Sequence, residues 1–501
     1  MHRVRQIEKM ILLMALAVGV DAGTAFAAPS AEERNLAAVL HGRHGEWCGK
    51  LAWREADAIG DSRVSVGFEC LDRELYDPER CYDPLAATGT KFARCQTGWF
   101  RCEREKGKYD FAWLDAIVDN HLKRGVKPWF NVGFGNSLYM TNCYSKAAVG
   151  HVPLYYGNEC REAWCDYIRA LARHFRGRVL HWEIWNESNN ACFWVPQKPN
   201  AREYVRLIKL TAPIIRAEIP DAKVGACVSS VYEPYAGEFA DCGGGNGLDF
   251  FAVHPYTTAP EHLMHWEAKM SYVDAIADLR RRFAAGGAPG IEIWNGEAGY
   301  NGWFPKKHWL YWNDEEIEDF DAPAKWLLRR FVMDRRAGCA LSSFFVVADF
   351  TRPYEKSSTT WKKPPLGGLL DGETYRPRPA YFALGNYNAL LADADWAPDA
   401  AFGVTCGDKK VRTMAVPLRR GDGQVCFAYW ALTDTMRDAF GRRDDACLDL
   451  PEKFRLEDPV LVDLKTGDVW SVGSLRQLPL VDWPLVICER RAVRMAEGRF
   501  K

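Results

Sequence analysis

From residue 64 to about residue 390 the sequence alternates between two kinds of segment, and no other feature constrains the fold as strongly. Short runs of β-branched and aromatic residues predict buried parallel strands, and longer stretches with an apolar residue every three or four positions predict helices. The strand candidates are 64–68, 91–94, 126–132, 179–185, 222–228, 248–253, 291–294 and 340–347. The clearest helices between them are 113–124, 162–175, 201–218, 272–283 and 322–336.

Eight strand–helix units in sequence predict an α/β fold, a (β/α)8 TIM barrel. An open, doubly wound sheet is the alternative, but no glycine-rich phosphate loop follows the first strand candidate. After about residue 390 the helical periodicity fades, and short alternating runs, including a hairpin over 461–472, predict a C-terminal β-sandwich domain. The predicted organisation is a signal peptide (1–27), an N-terminal extension (28–62), the barrel (63–390) and the β-sandwich (391–501). The extension is a candidate for one more strand of the sandwich.

The first 27 residues have the pattern of an export signal. Arg3, Arg5 and Lys9 precede the apolar run 10–20, and Ala25-Phe26-Ala27 supplies small residues at the cleavage positions. The run is too short to cross a bilayer, which takes about 20 residues. We therefore expect a secreted or periplasmic protein.

Charge and cysteine usage exclude several classes of partner and cofactor. The formal net charge of −1 predicts no nucleic-acid partner and no polybasic membrane contact. All sixteen Cys lie beyond the predicted signal peptide, and in an exported protein that number predicts some disulfides. Their spacing matches no metal-binding pattern, so we expect no metal. The oligomeric state has no signature in the sequence.

Two glutamates follow predicted barrel strands at the positions where barrel enzymes carry their catalytic groups. Glu187 follows the fourth strand candidate and Glu297 follows the seventh. Hydrolysis of a glycosidic bond requires two carboxyl groups, about 5–5.5 Å apart in retaining enzymes and about 6.5–9.5 Å apart in inverting ones. The spacing in the chain leaves both geometries open. Glu292 is a rival to Glu297, but it lies early in its strand, which favours a structural role.

The sequence Trp-Glu-Ile-Trp-Asn-Glu at 182–187 resembles the Asn-Glu signature of clan A glycoside hydrolases. The resemblance implies that Glu187 is the acid/base and that Asn186 holds the substrate 2-hydroxyl. It also implies that Glu297 is the nucleophile. His254-Pro255-Tyr256 is similar to the His-x-Tyr found after the sixth strand in the clan, where the Tyr touches the nucleophile.

Within the clan, the sequence is most similar to family 39, the group of β-xylosidases and α-L-iduronidases. The similarity is carried by 108–115, 125–128, 338–349, 367–370 and 379–381. It implies a retaining, β-xylosidase-like glycosidase that acts on a glycoside or oligosaccharide without a cofactor. The alternatives are a non-catalytic carbohydrate-binding barrel, or a clan A glycosidase of another specificity such as an arabinofuranosidase, glucosidase or endo-glycanase. The sequence departs from the family at Thr97-Gly98-Trp99, where His-Gly is usual, and at Phe345, where the clan often carries a Trp that floors the sugar site.

Six further side chains are candidates for substrate binding: Asn186, His254, Tyr256, Arg94, Trp99 and Asn136. Arg94 ends the second strand candidate, and it either orients the nucleophile or forms a structural ion pair. Trp99 is a candidate platform for the apolar face of a sugar. Asn136 either contacts substrate or forms a turn. Glu183 has the same side-chain parity as Glu187 but lies deeper, which predicts a place in a buried polar network.

Overall fold

The computed structural model describes residues 45–231, 234–257, 259–261, 271–304, 317–352, 354–355, 360–361, 367–433 and 440–496. The predicted signal peptide lies outside the described residues. Within them, every helix is too short or too polar to cross a membrane.

Eight parallel strands close into a barrel in the order of the sequence. From the first to the eighth they are Val64–Gly67, Phe92–Gln96, Lys127–Val132, His181–Ile184, Lys223–Val228, Phe250–Val253, Glu292–Ala298 and Leu341–Phe344. The eighth strand pairs with the first, with Ser342 opposite Val64, and with the seventh. This closure confirms the predicted barrel and excludes the open doubly wound sheet, and each predicted strand overlaps an observed one.

Helices follow the strands around the barrel. The α-helices are Tyr82–Ala87, Trp99–Cys102, Ala112–Lys123, Gly157–Phe175, Ala201–Glu218, Pro234–Asp241, Tyr272–Ala285, Asp321–Ala337 and Pro379–Leu391. Short 3-10 turns span Ala56–Ala58, Leu71–Arg73, Pro78–Arg80, Pro153–Tyr155, Ala191–Phe193, Pro398–Ala400, Glu452–Phe454 and Arg490–Ala492. The helix Ala201–Glu218 has the predicted bounds because Asn200 caps it, accepting from the backbone N–H groups of Arg202 and Glu203 at 3.0 and 3.2 Å.

The C-terminal region folds into antiparallel sheets, as predicted. The larger sheet has the order Trp47–Lys50, Asp468–Ser471, Pro459–Asp463, Leu485–Glu489, Val425–Ala431, Thr413–Arg419 and Asp395–Trp396. The smaller sheet has the order Gly403–Thr405, Arg443–Asp449 and Leu478–Leu480. Two-residue pairings join Trp303–Phe304 to Ile317–Glu318 and Tyr354–Glu355 to Thr360–Trp361. The edge strand Trp47–Lys50 comes from the N-terminal extension, with Trp47 opposite Trp470.

Alternate residues of the larger sheet face two different cores. In the strand Val425–Ala431, Cys426, Ala428 and Trp430 join the large cluster that includes the barrel core. Phe427, Tyr429 and Ala431 join the cluster between the two sheets. Successive side chains of a strand point to opposite faces, so the larger sheet is buried on both.

A buried ion pair ties the barrel to the sandwich. Arg329, on the helix Asp321–Ala337, donates to the two carboxylate oxygens of Glu261 at 2.8 and 2.5 Å and to Thr433 Oγ1 at 2.9 Å. Trp430 of the sandwich donates its indole N–H to Glu261 at 2.8 Å. Burial acts to raise the pKa of Glu261, but Arg329 outweighs it and the pKa is lowered. The pair therefore stabilises the fold at neutral pH, and this contribution is lost as the pH falls through the lowered pKa.

We expect Arg329→Met to lower the free energy of unfolding by about 3–5 kcal/mol, because it leaves the Glu261 carboxylate buried without its cation. Urea denaturation followed by tryptophan fluorescence measures the change. Arg281→Met is the matched control, since Arg281 pairs with Asp278 at 2.8 Å with 69% of its side chain exposed, and we expect a loss below about 1 kcal/mol. Equal losses in the two variants would contradict the assignment.

The expectation of disulfides is wrong for this structure. All sixteen Cys lie among the described residues, and all are free thiols. Cys70, Cys95, Cys227 and Cys339 are among those buried in the barrel, where thiols pack as small apolar side chains.

Candidate active site

Glu187 and Glu297 come together at the C-terminal rim of the barrel. An oxygen of each carboxylate and a ring nitrogen of His254 all lie within 4.8 Å of one another. About a tenth of each carboxylate-bearing side chain is exposed, 10% for Glu187 and 12% for Glu297. Trp185 and Glu187 both have left-handed backbone conformations, with φ of 67° and 43°. Such conformations are strained for residues other than glycine and concentrate at functional sites.

Two donors hold the carboxylate of Glu297. Arg94 Nη1 donates to Oε2 at 2.7 Å, and the hydroxyl of Tyr256 donates to Oε1 at 2.7 Å. The two donors hold the carboxylate in one orientation, which a carboxylate that attacks as a nucleophile needs. Tyr256 thus lies where the clan resemblance implies. Arg94 is fully buried, so it orients Glu297 and does not present itself to substrate, in contrast to its prediction as a substrate-binding residue.

A different pair of side chains holds Glu187. His254 Nδ1 lies 2.9 Å from Oε1, and the side-chain amide of Asn190 donates to Oε2 at 2.8 Å. His254 is 1% exposed, so it contacts Glu187 and presents almost no surface to substrate, in contrast to its prediction as a substrate-binding residue. Asn186 directly precedes Glu187 in the sequence, and its side-chain oxygen accepts from Arg94 Nη2 at 2.8 Å. The two carboxylates therefore share a rim but have separate hydrogen-bond partners.

Arg94 is shared by three carboxylates. Besides Glu297, its Nη1 contacts Glu69 Oε2 at 2.8 Å and its Nη2 contacts Glu183 Oε1 at 2.5 Å. Glu183 also accepts from the amide of Asn131 at 2.7 Å, so it belongs to the predicted buried network. Burial raises the pKa of Glu69 well above its ordinary range despite the contact with Arg94. The single positive charge of Arg94 is shared among three carboxyl groups. The negative charge of the nearby Glu297 raises the pKa of Glu69 further.

We expect Glu69→Gln to make the protein more resistant to alkaline pH. An acid whose folded-state pKa is raised binds more protons in the folded than in the unfolded protein, so stability falls as the pH rises from about 4.5 through the raised pKa. A neutral amide at residue 69 removes this dependence. Thermal unfolding at pH 6 and pH 9 measures it, and the variant should lose about 2–4 °C less than the wild type over that interval. Glu159→Gln, at a side chain 73% exposed, is the control and should follow the wild type. Parallel curves for Glu69→Gln and the wild type would contradict this assignment.

Two predicted site residues lie away from the cleft. Trp99 has no exposed surface, its indole N–H donates to Glu103 at 2.6 Å, and its ring stacks between Tyr139 and Tyr167. Both faces of the ring are covered, so the structure contradicts its prediction as a sugar platform. Asn136 is also fully buried, and its side chain bonds the backbone carbonyl of Glu103 and the backbone N–H of Leu138. Of the two predicted roles of Asn136, substrate contact and turn formation, these bonds support turn formation.

Phe345 stands at the exit of the eighth strand and is partly exposed. It lies beside the first and seventh strands, because a Cβ on Gly67 would be 3.5 Å from its ring and a Cβ on Gly299 would be 3.6 Å from its own Cβ. An aromatic ring smaller than Trp therefore lies at the rim of the barrel beside the first and seventh strands. Glu292 is exposed at the start of the seventh strand, at the opposite end of the barrel, where it accepts from Trp294 Nε1 at 2.8 Å.

The sequence reasoning missed Glu69, Asn131, Asn190 and Cys227. Glu69 carried a usable signal, because it follows a predicted strand directly, as Glu187 and Glu297 do. Cys227 and Asn131 lie inside strands, and single side chains there carry no signature of an inward direction without the barrel register. Two triads have potential metal-ligand atoms within 4.8 Å of one another: Glu183, Cys227 and His254, and Glu187, His254 and Glu297. Arg94 already neutralises part of the charge of both.

A family model for Glycosyl hydrolases family 39 matches residues 90–313. This range contains the second to the seventh barrel strands and both rim glutamates. The matched part of the chain is therefore similar to the clan A glycoside hydrolases of family 39. The resemblance given by the sequence motifs is thereby confirmed.

The similarity to individual proteins agrees with this assignment. The chain is 29% identical over 188 residues to a β-xylosidase from Geobacillus stearothermophilus, a stretch that covers 32% of this chain and about a third (33%) of that relative. Its fold is similar to that of a family 39 glycoside hydrolase from Bacteroides cellulosilyticus WH2, with a TM-score of 0.62 and 16% identity over 87% of this chain and 81% of the other. A glucosidase from Croceicoccus marinus has a TM-score of 0.55 and 16% identity over 89% and 98% of the two chains.

Proposed function

We propose that this glycosidase cleaves O-glycosidic bonds with retention of configuration, by double displacement on Glu187 and Glu297. The observation that carries the proposal is the separation of the two carboxylates, whose nearest oxygens are no more than 4.8 Å apart. Oxygens this close favour the carboxyl separation of about 5–5.5 Å in retaining enzymes over the separation of about 6.5–9.5 Å that admits the water of an inverting reaction.

In the first step a Glu297 oxygen attacks the anomeric carbon while Glu187 donates its proton to the departing glycosidic oxygen. The carbon–oxygen bond to the leaving group breaks, and a glycosyl ester on Glu297 forms. In the second step Glu187 takes a proton from water, the water oxygen attacks the anomeric carbon, and the Glu297 carboxylate departs. Arg94 and Tyr256 donate hydrogen bonds that orient the Glu297 carboxylate before the first step and receive it again as it leaves in the second.

The environments of the two glutamates support these separate roles. Glu297 contacts a guanidinium and a phenol, whereas Glu187 contacts an imidazole and an amide. A pair of carboxyl groups with different surroundings can hold one proton between them, which acid catalysis beside an ionised nucleophile requires. The mechanism uses no cofactor, and its substrate is a glycoside or oligosaccharide.

We propose a β-xylosidase-like specificity, supported by the stretch that is 29% identical to a β-xylosidase. The second candidate is a clan A glycosidase of another specificity, which is favoured by Phe345 where the clan often carries a Trp. A screen of 4-nitrophenyl glycosides tests both, with β-D-xyloside, α-L-arabinofuranoside and β-D-glucoside as the first members. If 4-nitrophenol is released fastest from the β-D-xyloside, the β-xylosidase-like specificity is supported. If it is released faster from another glycoside, the second candidate, a glycosidase of another specificity, is supported instead. Sugar binding without release from any member would support a non-catalytic barrel and overturn the proposal.

We also propose that the protein is exported after removal of residues 1–27, on the strength of the sequence pattern alone. The amino-terminal sequence of the protein recovered from the periplasm or medium tests this, with Ala28 expected as the first residue. A protein that retains its initiating Met in the cytosol would contradict it.

A further inference from the structure

A cysteine lies directly behind the histidine that contacts the proposed acid/base. The Sγ of Cys227, on the fifth strand, is 3.1 Å from His254 Nε2, and the opposite ring nitrogen, Nδ1, is 2.9 Å from Glu187 Oε1. Cys227 is fully buried and His254 is 1% exposed, so solvent does not supply alternative partners. The three side chains form one hydrogen-bonded chain that ends on the carboxyl group of Glu187.

A neutral imidazole has one N–H, so the partner of one nitrogen decides the state of the other. If a donor faces Nε2, the proton resides on Nδ1 and is donated to Glu187. If an acceptor faces Nε2, the proton resides there and Nδ1 presents a lone pair to Glu187 Oε1. The first arrangement favours an ionised Glu187, and the second disfavours it.

The surroundings of Cys227 make it a donor to His254. Burial, followed by the charge of Glu183, raises the pKa of the thiol well above its ordinary range and outweighs the opposing effects of Arg94 and of the backbone hydrogen bond with Glu187, so the thiol keeps its proton. The other described group on this side is an acceptor only. Glu183 Oε2 is buried and has no hydrogen-bond partner among the described residues. Its position near Nε2 is shown by Gly296, whose missing Cβ would be 3.4 Å from Glu183 Oε2 and 3.5 Å from His254 Nε2.

We propose that Cys227 is a positioning residue, whose thiol donates to His254 Nε2, fixes the proton on Nδ1, and so keeps a hydrogen bond aimed at Glu187. The inference rests on the proposed role of Glu187. Without the thiol, the carboxylate of Glu183 is the nearest partner for Nε2 and pulls the imidazole proton to that side. The other charged groups that face His254 are Glu297, whose Oε2 is 3.7 Å from Nδ1, and Arg94, which holds both Glu183 and Glu297.

Two substitutions separate hydrogen bonding from packing. Cys227→Ser keeps a donor of similar size, and Cys227→Ala removes it. Cys95→Ala is the matched control, because Cys95 is an equally buried barrel thiol whose contact is with the backbone carbonyl of Ala93 at 3.7 Å.

The measurement is the pH profile of kcat/KM on the best aryl glycoside. We expect the basic limb of Cys227→Ala to move to higher pH by about one unit, because Glu187 loses a donor that stabilises its ionised form. Cys227→Ser and Cys95→Ala should keep the limb of the wild type.

Nitrogen-15 NMR of ring-labelled histidine reads the tautomer without depending on activity. The His254 signals are identified by their absence from the spectrum of His254→Gln. We expect the Nδ1–H form in the wild type and in Cys227→Ser, and the Nε2–H form in Cys227→Ala. An Nε2–H form in the wild type, an unchanged tautomer in Cys227→Ala, or a basic limb that moves to lower pH would each overturn the inference. If Glu187→Ala keeps full activity while the tautomers are as expected, the proposed function fails and the hydrogen-bond assignment stands.

Discussion

Replacement of Glu297 by alanine is expected to lower kcat by roughly 10⁴- to 10⁶-fold, the loss seen when a covalent nucleophile is removed from an enzyme. The expectation follows from the two donors on Glu297, since Arg94 and Tyr256 bind a carboxylate that no other described side chain can replace at that point of the rim. Glu292→Ala is the control. Glu292 is a glutamate of the same strand, exposed at the far end of the barrel, and its loss should leave kcat within a factor of two or so of the wild type.

Azide distinguishes a nucleophile from a residue of merely structural importance. In Glu297→Ala the cavity left by the carboxylate admits azide, which attacks the anomeric carbon of an activated glycoside directly. The product is a glycosyl azide of inverted configuration, and turnover should recover with azide concentration. Wild-type-like activity of Glu297→Ala without azide would contradict the assignment, as would rescue of Glu292→Ala in its place.

Replacement of Glu187 by alanine is expected to have the second largest effect, and its size should depend on the leaving group. General acid–base catalysis contributes about 10²–10⁴-fold, so substrates with a poor leaving group, such as oligosaccharides, should lose about that factor. Aryl glycosides with an acidic phenol need little protonation, and their first step should be nearly unaffected. Added azide should then accelerate the second step and give a glycosyl azide of retained configuration.

Steady-state kinetics with a series of substituted phenyl glycosides measures this dependence. A uniform loss across the series would show that Glu187 is not the acid, because an acid compensates for poor leaving groups in particular. Glu159→Ala, at an exposed glutamate, should show no loss for any leaving group.

The barrel was predictable because its signals are local and repeated. A buried parallel strand has a short apolar run in its sequence, and a helix that covers it has an apolar residue every three or four positions. Eight such strand–helix pairs are compatible with few folds other than a barrel. The strand bounds differ by up to four residues from the prediction. The seventh strand extends to Ala298, past Glu297, because Asn295 and Gly296 continue the pairing with the neighbouring strands, Asn295 opposite Val253 and Ser342. Asn and Gly usually end a strand, so the prediction from local residue preferences ended the seventh strand at residue 294, four residues too early.

The glutamate pair and Tyr256 were predictable because each belongs to a short motif after a strand. Arg94 was predicted only as one of two alternatives, because its contacts with Glu69 and Glu183 depend on the stagger of three strands that are separated in the sequence. Trp99 illustrates the opposite error. Trp99 follows a barrel strand, but it begins a helix and its ring packs between Tyr139 and Tyr167. Nothing in the local sequence distinguishes this buried position from one exposed to substrate.

The most direct test of the two-glutamate account is to trap the glycosyl-enzyme. A 2-deoxy-2-fluoro glycoside with a good leaving group, matched to the sugar preferred in the aryl-glycoside screen, slows both steps and lets the intermediate accumulate. Mass spectrometry of a proteolytic digest then locates the sugar. The account predicts one added sugar on the peptide that contains Glu297, at that residue, in the wild type and none in Glu297→Ala. A sugar attached to Glu187, Glu292 or another residue would contradict it.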